Sequence, residues 1–356
     1  MQYLRKLFFV TLAEIAHKAK VSVTTVHRVF SGKEDVHPDT SRKIWKIANE
    51  IGYVPMQKRK EASNGGIKTG VIGLLLSGLS MDFLEIPQNL KIFSYIESAL
   101  RQYNVLLSVA SEMGNKNIGP LLEEKRWDGL ILMGDIPARL KKELLDFPCV
   151  GMLGSNYLNE PELDWIMPDY RARARLAIEF FKGLGHRNIA FFNPMGYHYG
   201  FQEVGREFLW LAENMELNAR LIVSDYKSNS GFWKAEDGRN IIGGMIDDLL
   251  KPDESDRPTG LFVANDELAM DVYSALHERG IKIGEDITIL SSDNEDIFLN
   301  RLYPKPATID LNYPLLAELA VDRLMNKIKN NAITTGVRIM VPPRLILPNT
   351  NLSKVK

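Results

Sequence analysis

Cysteine is almost absent from this 356-residue chain, and its N-terminal segment contains no extended apolar run. Cys149 is the single cysteine and has no partner for an intramolecular disulfide, while six scattered histidines leave no Cys/His set with zinc spacing. The apolar run ahead of Thr11 spans four residues, which is too short for a signal-peptide core or a membrane span. These absences disfavour export, a membrane anchor and a structural zinc site, and they predict a cytoplasmic protein.

Motifs of common enzyme sites are also missing. No Gly-x-Gly-x-x-Gly follows a predicted strand, since Gly183 and Gly185 are only two glycines and lie at the end of a helix. Gly154-Ser155 lacks the second glycine of a nucleophile elbow, and the chain has no phosphate-binding P-loop. The sequence therefore predicts a protein that is not an enzyme and requires no cofactor or metal.

What the chain does have is an uneven charge distribution on an ordinary globular composition. Hydrophobic residues make up 45% and charged residues 25%, and the length predicts two or three domains. Residues 1–60 hold twelve Lys and Arg against five Asp and Glu, whereas the remainder holds 32 against 40. This asymmetry favours a small basic module that meets a polyanion, carried on a larger acidic-to-neutral body. A basic face that is merely solvated is the alternative.

Apolar residues recur with helical spacing in three short segments of the basic module. Thr11 and Glu14 form a capping box for the first helix, Ser22 suits the cap of the second, and Pro38 suits the first position of a third. In the second helix the predicted inner residues are Val26, Val29 and Phe30, and the predicted outer residues are Thr24, Thr25, His27 and Arg28. A short helix with a polar, cationic outer face after a tight turn is typical of a helix-turn-helix DNA-binding unit.

These segments closely resemble the DNA-binding headpiece of the LacI/GalR family of bacterial repressors, in Val10-Thr-Leu-Ala-Glu-Ile-Ala, Val21-Ser-Val-Thr-Thr-Val-His-Arg-Val and Ile51-Gly-Tyr-Val-Pro55. The resemblance places Val23 and Thr24 at base-reading positions and Arg28 at a base-contacting arginine. Arg28 can donate to a guanine edge, and a methyl group of Val23 or Thr24 can touch thymine; core packing is the alternative for Val23. The residues predicted to contact DNA are Thr11, Leu12, Ser22, Val23, Thr24, Thr25, Arg28, Ser31, Lys58 and Arg59.

The segment after the headpiece departs from the family pattern. The family places a hinge helix here, patterned Asn-x-x-Ala-Arg-x-Leu, whose leucine wedges between base pairs, but Ala62 stands at the leucine position. We therefore expect no strong kink at the operator centre and only backbone contact from Lys58, Arg59 and Lys60. Residues 63–66 end this helix or serve as a flexible linker.

Beyond the hinge, apolar strands alternate with amphipathic helices. Strands are predicted at residues 70–76, 105–110, 129–133, 149–153, 189–192, 219–223, 260–264 and 287–290. Such runs indicate parallel sheets covered on both faces. Phrases such as Leu184-Gly-His-Arg-Asn-Ile-Ala190 and Phe262-Val-Ala-Asn-Asp266 resemble the periplasmic-binding-protein-like core of the same family. The predicted fold is α/β, with a three-helix headpiece joined by a hinge to a two-lobed core with two parallel sheets.

The resemblance also implies the domain boundaries. The headpiece is expected at residues 1–56, the hinge at 57–67, the N-terminal lobe at 68–186 plus 310–336, and the C-terminal lobe at 187–309 plus 337–356. The chain would cross between the lobes near Gly185, Thr308 and Gly336, which places a ligand cleft between them.

The resemblance predicts the ligand-binding residues Ser77, Asp169, Gln202, Trp233, Asn265 and Asp293. Carboxylates and an amide can each pair with two hydroxyls, and an indole offers an apolar face to a sugar ring. A helix cap is the alternative for an aspartate that follows a strand, and core packing is the alternative for Trp233. Gln202 replaces the family's pocket arginine, so the cleft should be neutral to acidic unless Arg206 or a more distant arginine reaches in. A neutral carbohydrate is then expected to bind better than a sugar phosphate.

The sequence as a whole predicts a transcription regulator, a repressor, that binds double-stranded operator DNA as a homodimer. A small effector between the lobes would change its operator affinity. The alternatives are a cytoplasmic sugar-binding protein without DNA function, against which residues 10–55 argue, and an enzyme on an α/β scaffold, which ligand turnover would reveal.

Overall fold

A computed structural model describes the fold over most of the chain. The described residues are 12–30, 36–50, 66–79, 84, 86–111, 126–134, 136, 140–154, 162–226, 235–253, 255–330 and 336–348. Within these ranges, none of the helices combines the length and apolar character that a membrane crossing requires.

Three helices pack around a small core near the N-terminus: α1 (Leu12–Ala19), α2 (Val23–Phe30) and α3 (Pro38–Glu50). Ser22 caps α2, because its Oγ accepts a hydrogen bond from the backbone N–H of Thr25 at 3.1 Å. The core contains Ile15, Ala16, Ala19, Val26, Val29, Phe30, Ile44 and Ala48. The predicted inner face of the second helix is therefore confirmed.

The first lobe of the body is built on a six-stranded parallel sheet. Its strands are β1 (Val71–Ser77), β2 (Leu106–Ser111), β3 (Gly129–Gly134), β4 (Cys149–Met152), β5 (Asp164–Pro168) and β11 (Arg338–Val341), in the order β11-β5-β4-β3-β1-β2. Its helices are α4 (Pro87–Arg101), α5 (Lys141–Leu145) and α11 (Tyr313–Asn330). Helix α11 packs against α4 and against β3, β4 and β5.

The second lobe repeats this plan. Its strands are β6 (Asn188–Asn193), β7 (Asn218–Val223), β8 (Gly260–Val263), β9 (Thr288–Ser292), β10 (Ala307–Asp310) and β12 (Arg344–Ile346), in the order β12-β10-β9-β8-β6-β7. All pairs are parallel except β12 with β10. Its helices are α6 (Tyr170–Gly183), α7 (Tyr199–Asn214), α8 (Ala235–Leu250), α9 (Asp266–Glu278) and α10 (Asp296–Leu299). The α/β fold with a helix-turn-helix headpiece and a two-sheet core is as predicted, with one antiparallel edge strand added.

The crossings between lobes differ from the expected positions. Helix α6 packs on α7, and the Phe181 ring lies against Gly260 of β8, so the chain enters the second lobe at Asp169 rather than near Gly185. It returns to the first lobe between β10 and α11. The last crossing falls at residues 342–343, between β11 and β12, rather than near Gly336. The first boundary moves because the apolar face of α6 covers the second sheet.

Candidate nucleic-acid interface and ligand cavity

Helix α2 and its cap carry half of the predicted DNA contacts, five of the ten residues. Ser22, Val23, Thr24 and Arg28 are exposed, and Thr25 is half-buried. Val23 is 46% exposed, which removes core packing as an explanation for this residue. Because residues four apart lie on one face of a helix, this surface presents methyl, hydroxyl and guanidinium groups together.

The remaining predicted contacts are placed differently. Leu12 is partly buried against the headpiece core, so its side chain packs within the three-helix unit. Thr11, Ser31, Lys58 and Arg59 lie outside the described residues, as does Ala62 of the hinge.

A cavity of about 350 Å³ lies between the two lobes, at the carboxyl ends of the parallel strands. Ser77 ends β1, Asn265 follows β8 and Asp293 follows β9, and all three predicted residues line the cavity. Open α/β sheets place ligands at this edge, and the volume is at the lower end of the range for small-molecule sites. The geometry therefore suits a small ligand that contacts both lobes.

Asp169 and Gln202 are not among the described residues that line the cavity. Asp169 caps α6, with its Oδ1 accepting from the Ala172 backbone N–H at 2.9 Å. The side chain of Gln202 donates to the backbone oxygen of Gly196 at 2.6 Å, and Trp233 lies outside the described residues. The helix-cap alternative thus accounts for the hydrogen bond that Asp169 makes.

Arg173 is a cavity residue that sequence reasoning did not identify. It is 1% exposed, its Nε donates to Ser292 Oγ at 2.9 Å, and its Nη2 donates to the Ala264 backbone oxygen. Its guanidinium carbon lies 5.4 and 5.5 Å from the ring centroids of Phe201 and Phe262. Burial lowers the pKa of Arg173, and the charge of Asp293 opposes this shift. The cavity therefore has a fixed cation in its wall, despite the glutamine at position 202.

Asp293 is the acidic partner of this cation. It has a φ of +104°, a backbone conformation that non-glycine residues rarely adopt and that concentrates at functional sites. Its Oδ1 accepts from the Tyr313 hydroxyl at 3.0 Å, and Gln88 of α4 donates to that same hydroxyl. Burial raises the pKa of Asp293 to about 6, with Arg173 acting against the rise. These two hydrogen bonds, from Gln88 to Tyr313 and from Tyr313 to Asp293, connect the first lobe to the second.

A charged contact also joins the lobes. Lys91 of α4 forms an ion pair with Glu295 of the second lobe, and the Glu295 side chain is 6% exposed. The backbone N–H of Glu295 donates to Asp266 at 2.7 Å, and Asp266 also accepts from the hydroxyls of Ser291 and Thr308. The two lobes are therefore held together beside the cavity by polar contacts.

Two neighbouring carboxylates begin helix α9. Burial, and then the charge of Asp293, raise the pKa of Asp266 to about 7. Burial, followed by the charges of Asp271 and Asp293, raises the pKa of Glu267 to about 7 as well, and Glu267 lines the cavity. The second lobe thus places an additional acidic group in the site.

Aromatic rings form much of the remaining wall. The aromatic lining residues are Tyr170, Tyr197, His198, Tyr199, Phe201 and Tyr313. Gly200 allows the Tyr170 ring to approach, because a Cβ at this position would lie 2.8 Å from two of its ring atoms. Tyrosine rings combine an apolar face with a polar tip, as recognition of a hydroxylated ring requires.

Glu267 should make the stability of the protein depend on pH. Its pKa of about 7 in the fold exceeds the ordinary 4.5, so the folded state holds the proton more tightly than the unfolded chain. The resulting stabilisation is complete below about pH 4.5 and is lost as pH rises through about 7. Glu267→Gln should therefore stabilise the protein by on the order of 2 kcal/mol at pH 8 and change it little at about pH 4.5.

Urea unfolding at the two pH values measures this difference. Glu213→Gln, at an exposed position of α7, is the matched control and should show no such dependence. An equal gain for Glu267→Gln at both pH values would contradict the assignment.

Comparisons with known proteins were consistent over both parts of the chain. Residues 11–56 match the family model "Bacterial regulatory proteins, lacI family", and residues 178–348 match the "Periplasmic binding protein-like domain". Catabolite control protein A of Priestia megaterium is 25% identical over 94% of this chain and 97% of its own length. The ribose operon repressor of Haemophilus influenzae is 27% identical over 90% of this chain and 92% of its own.

Solved structures share the fold over almost the whole chain. The lac repressor dimer bound to operator and the anti-inducer ONPF has a TM-score of 0.66 and 23% identity, covering 98% of this chain and 99% of the other. The transcriptional regulator CelR in complex with cellobiose has a TM-score of 0.65 and 19% identity, covering 95% and 99%. With a headpiece and a core that each match the corresponding family model, the chain belongs to the LacI/GalR family of bacterial regulatory proteins.

Proposed function

We propose that this protein is a DNA-binding transcription regulator, a repressor, whose operator affinity is changed by a small ligand bound between the two lobes. The observation that carries the proposal is the two-lobe cavity in a chain whose headpiece exposes the polar, cationic face of α2. Named relatives are regulators rather than enzymes, which supports a function in regulation and a cytoplasmic location.

Operator contact is assigned to the headpiece and hinge. Within the described part of α2 and its cap, the base-reading residues are Val23, Thr24 and Arg28, and the backbone contacts come from Ser22 and Thr25. Thr11, Ser31, Lys58 and Arg59 complete the proposed surface on the basis of the family resemblance. Without a leucine at Ala62, discrimination should rest on the major groove rather than on a kinked central step.

The ligand is proposed to be a carbohydrate without a phosphate group. Asn265 and Asp293 provide amide and carboxylate groups for hydroxyls, and the tyrosine rings provide faces for the C–H side of a sugar. Arg173 already donates to Ser292 and Ala264, and its charge is opposed by that of Asp293, so the charge of Arg173 is largely satisfied within the protein. Glu267 would repel a phosphate in this partly buried site. A CelR–cellobiose complex on the same fold supports the carbohydrate class.

The central test measures whether a ligand changes the affinity of the protein for its operator. An operator is first obtained by selection from random duplexes, and fluorescence anisotropy then measures its affinity with and without a panel of neutral monosaccharides, disaccharides and glycosides. At least one sugar should change operator affinity. Failure of the full-length chain to select any sequence at low salt would contradict the proposal.

Asn265→Asp provides a matched variant for this test. An aspartate at this position can still accept from the Leu268 backbone N–H, as the Asn265 side chain does at 2.9 Å, and so keeps the cap of α9. At the cavity it replaces the amide donor with a carboxylate, which adds a negative charge to a wall that already contains Glu267 and Asp293. The sugar response should therefore fall about tenfold, while operator affinity without ligand stays unchanged.

Operator binding should require a homodimer, because one headpiece reads a single half-site of a pseudo-palindrome. The solved lac repressor relative is a dimer on its operator. Analytical ultracentrifugation of the free protein at micromolar concentration should show a dimer, and the operator complex should contain two chains. A monomer that binds the operator one-to-one would contradict this expectation.

A further inference from the structure

We propose that the regulatory ligand carries a protonated amine and that Glu267 is the residue that binds it. The inference rests on the proposed ligand site between the lobes and narrows the class of ligand from a carbohydrate to an aminated polyol, such as an amino sugar.

The charges of the cavity wall are unequal. Three lining residues with full-charge side chains lie in the described part of the wall: Arg173, Asp293 and Glu267. Arg173 donates to Ser292 and Ala264, and its charge and that of Asp293 act on each other, so these two charges offset each other within the protein. Among the described residues, the carboxylate of Glu267 forms no ion pair and accepts no hydrogen bond.

The surroundings of Glu267 increase this imbalance. In the described structure, the influences on its pKa are its own burial, which is the largest, and the negative charges of Asp271 and Asp293. Its place in the first turn of α9 supplies only the partial positive charge of a helix N-terminus. A partly buried carboxylate gains most from a full positive charge with N–H donors. The ligand is the component that can supply both.

Tyr197 gives an independent indication of a polar ligand in the same cavity. Its hydroxyl oxygen is buried and has no hydrogen-bond partner in the described structure, although its side chain lines the cavity. A buried hydroxyl without a hydrogen-bond partner costs free energy unless a bound molecule or a water supplies the missing hydrogen bond. A ligand hydroxyl can pair with it, and tyrosine rings in the wall add favourable faces for an ammonium group.

Matched sugar probes test the proposal. Isothermal titration calorimetry at pH 7 on the full-length protein compares glucosamine, galactosamine and mannosamine with their parent hexoses and their N-acetyl forms. One amino sugar or more should bind about tenfold more tightly than both its parent and its N-acetyl form. In Glu267→Gln, that preference should fall to about twofold or less, whereas the exposed-site control Glu213→Gln should retain it. Thermal unfolding and operator binding show that both variants fold.

The outcomes separate this inference from the proposed function. A neutral or N-acetylated sugar that binds as tightly as the amine overturns the inference, as does a preference that survives in Glu267→Gln or a lack of binding by every amino sugar at millimolar concentration. If a neutral sugar alone changes operator affinity, the proposed function stands without the inference. If an amino sugar binds through Glu267 but leaves operator affinity unchanged, the inference stands and the proposed regulation does not.

Discussion

Arg173→Met should destabilise the protein by about 3–5 kcal/mol, the cost expected when one partner of a buried charge pair is removed. Methionine fills much of the space between the Phe201 and Phe262 rings but leaves the Ala264 oxygen and Ser292 without their donor. It also removes the positive charge that lowers the pKa of the buried Asp293, so this pKa should rise further above 6. Urea unfolding at pH 7.5 measures the loss.

Two variants show whether charge is the cause. Arg175→Met, at an exposed position of the same helix, should change stability by less than about 0.5 kcal/mol. The double variant Arg173→Met with Asp293→Asn removes both charges and should recover a large part of the loss. A single variant as stable as the wild type would contradict the assignment, and so would a double variant no more stable than the single one.

The elements that could be predicted from sequence are those whose evidence is local. Val26, Val29 and Phe30 recur with helical spacing, and all three are buried in the headpiece core. The eight predicted strands are long, nearly continuous apolar runs, and each corresponds to an observed strand within about two residues. Both features depend only on residues within one helical turn or one strand, so they can be recognised from the local sequence.

Four strands went unpredicted because no continuous apolar run marks them in the sequence and their pairing partners define them. Strand β12 spans three residues and exposes both Arg344 and Ile346, so it has no apolar pattern of its own. Strand β5 begins with an aspartate and ends with a proline, which disguise a fully buried run. Pairing with β10 and β4 makes these segments strands, and that information lies elsewhere in the chain.

The cavity also combines features that the local sequence predicts with contacts that depend on residues far apart in the chain. Ser77, Asn265 and Asp293 follow or end strands, so their convergence at one sheet edge could be predicted. The ion pair that joins the lobes could not, because Lys91 and Glu295 are 204 residues apart in sequence.

A usable signal for Arg173 was nevertheless present in the sequence. It shares a helical stripe with the buried residues Ala174, Ala177 and Phe181 of α6, where a charged side chain is unusual unless it has a buried partner. An arginine in an apolar helical stripe therefore indicates that the cavity wall contains a buried cation. The glutamine at position 202 had suggested the opposite, that the cavity lacks a cation.

Arg28→Ala should cost about 1–3 kcal/mol of specific operator affinity, or roughly 5- to 150-fold, and relax the preference at one base pair. The reason is the position of Arg28 on the exposed face of α2. Thr24 lies one helical turn before Arg28, and Val23 is next to Thr24 in the sequence. A guanidinium at this place can donate two hydrogen bonds to guanine O6 and N7, which alanine cannot replace. Quantitative selection on randomised half-sites, followed by anisotropy on the preferred site and its single-base variants, measures both effects.

Lys58→Ala is the informative comparison for Arg28, because Lys58 is proposed to contact only the DNA backbone. Its loss should weaken binding to all sequences alike and lower the slope of log affinity against log salt by about one. Arg28→Ala should differ by changing the ranking of the half-sites. Equal, sequence-independent losses for the two variants would overturn the base-reading role of Arg28 and reduce α2 to an electrostatic contact, since a backbone contact carries no information about the base beside it.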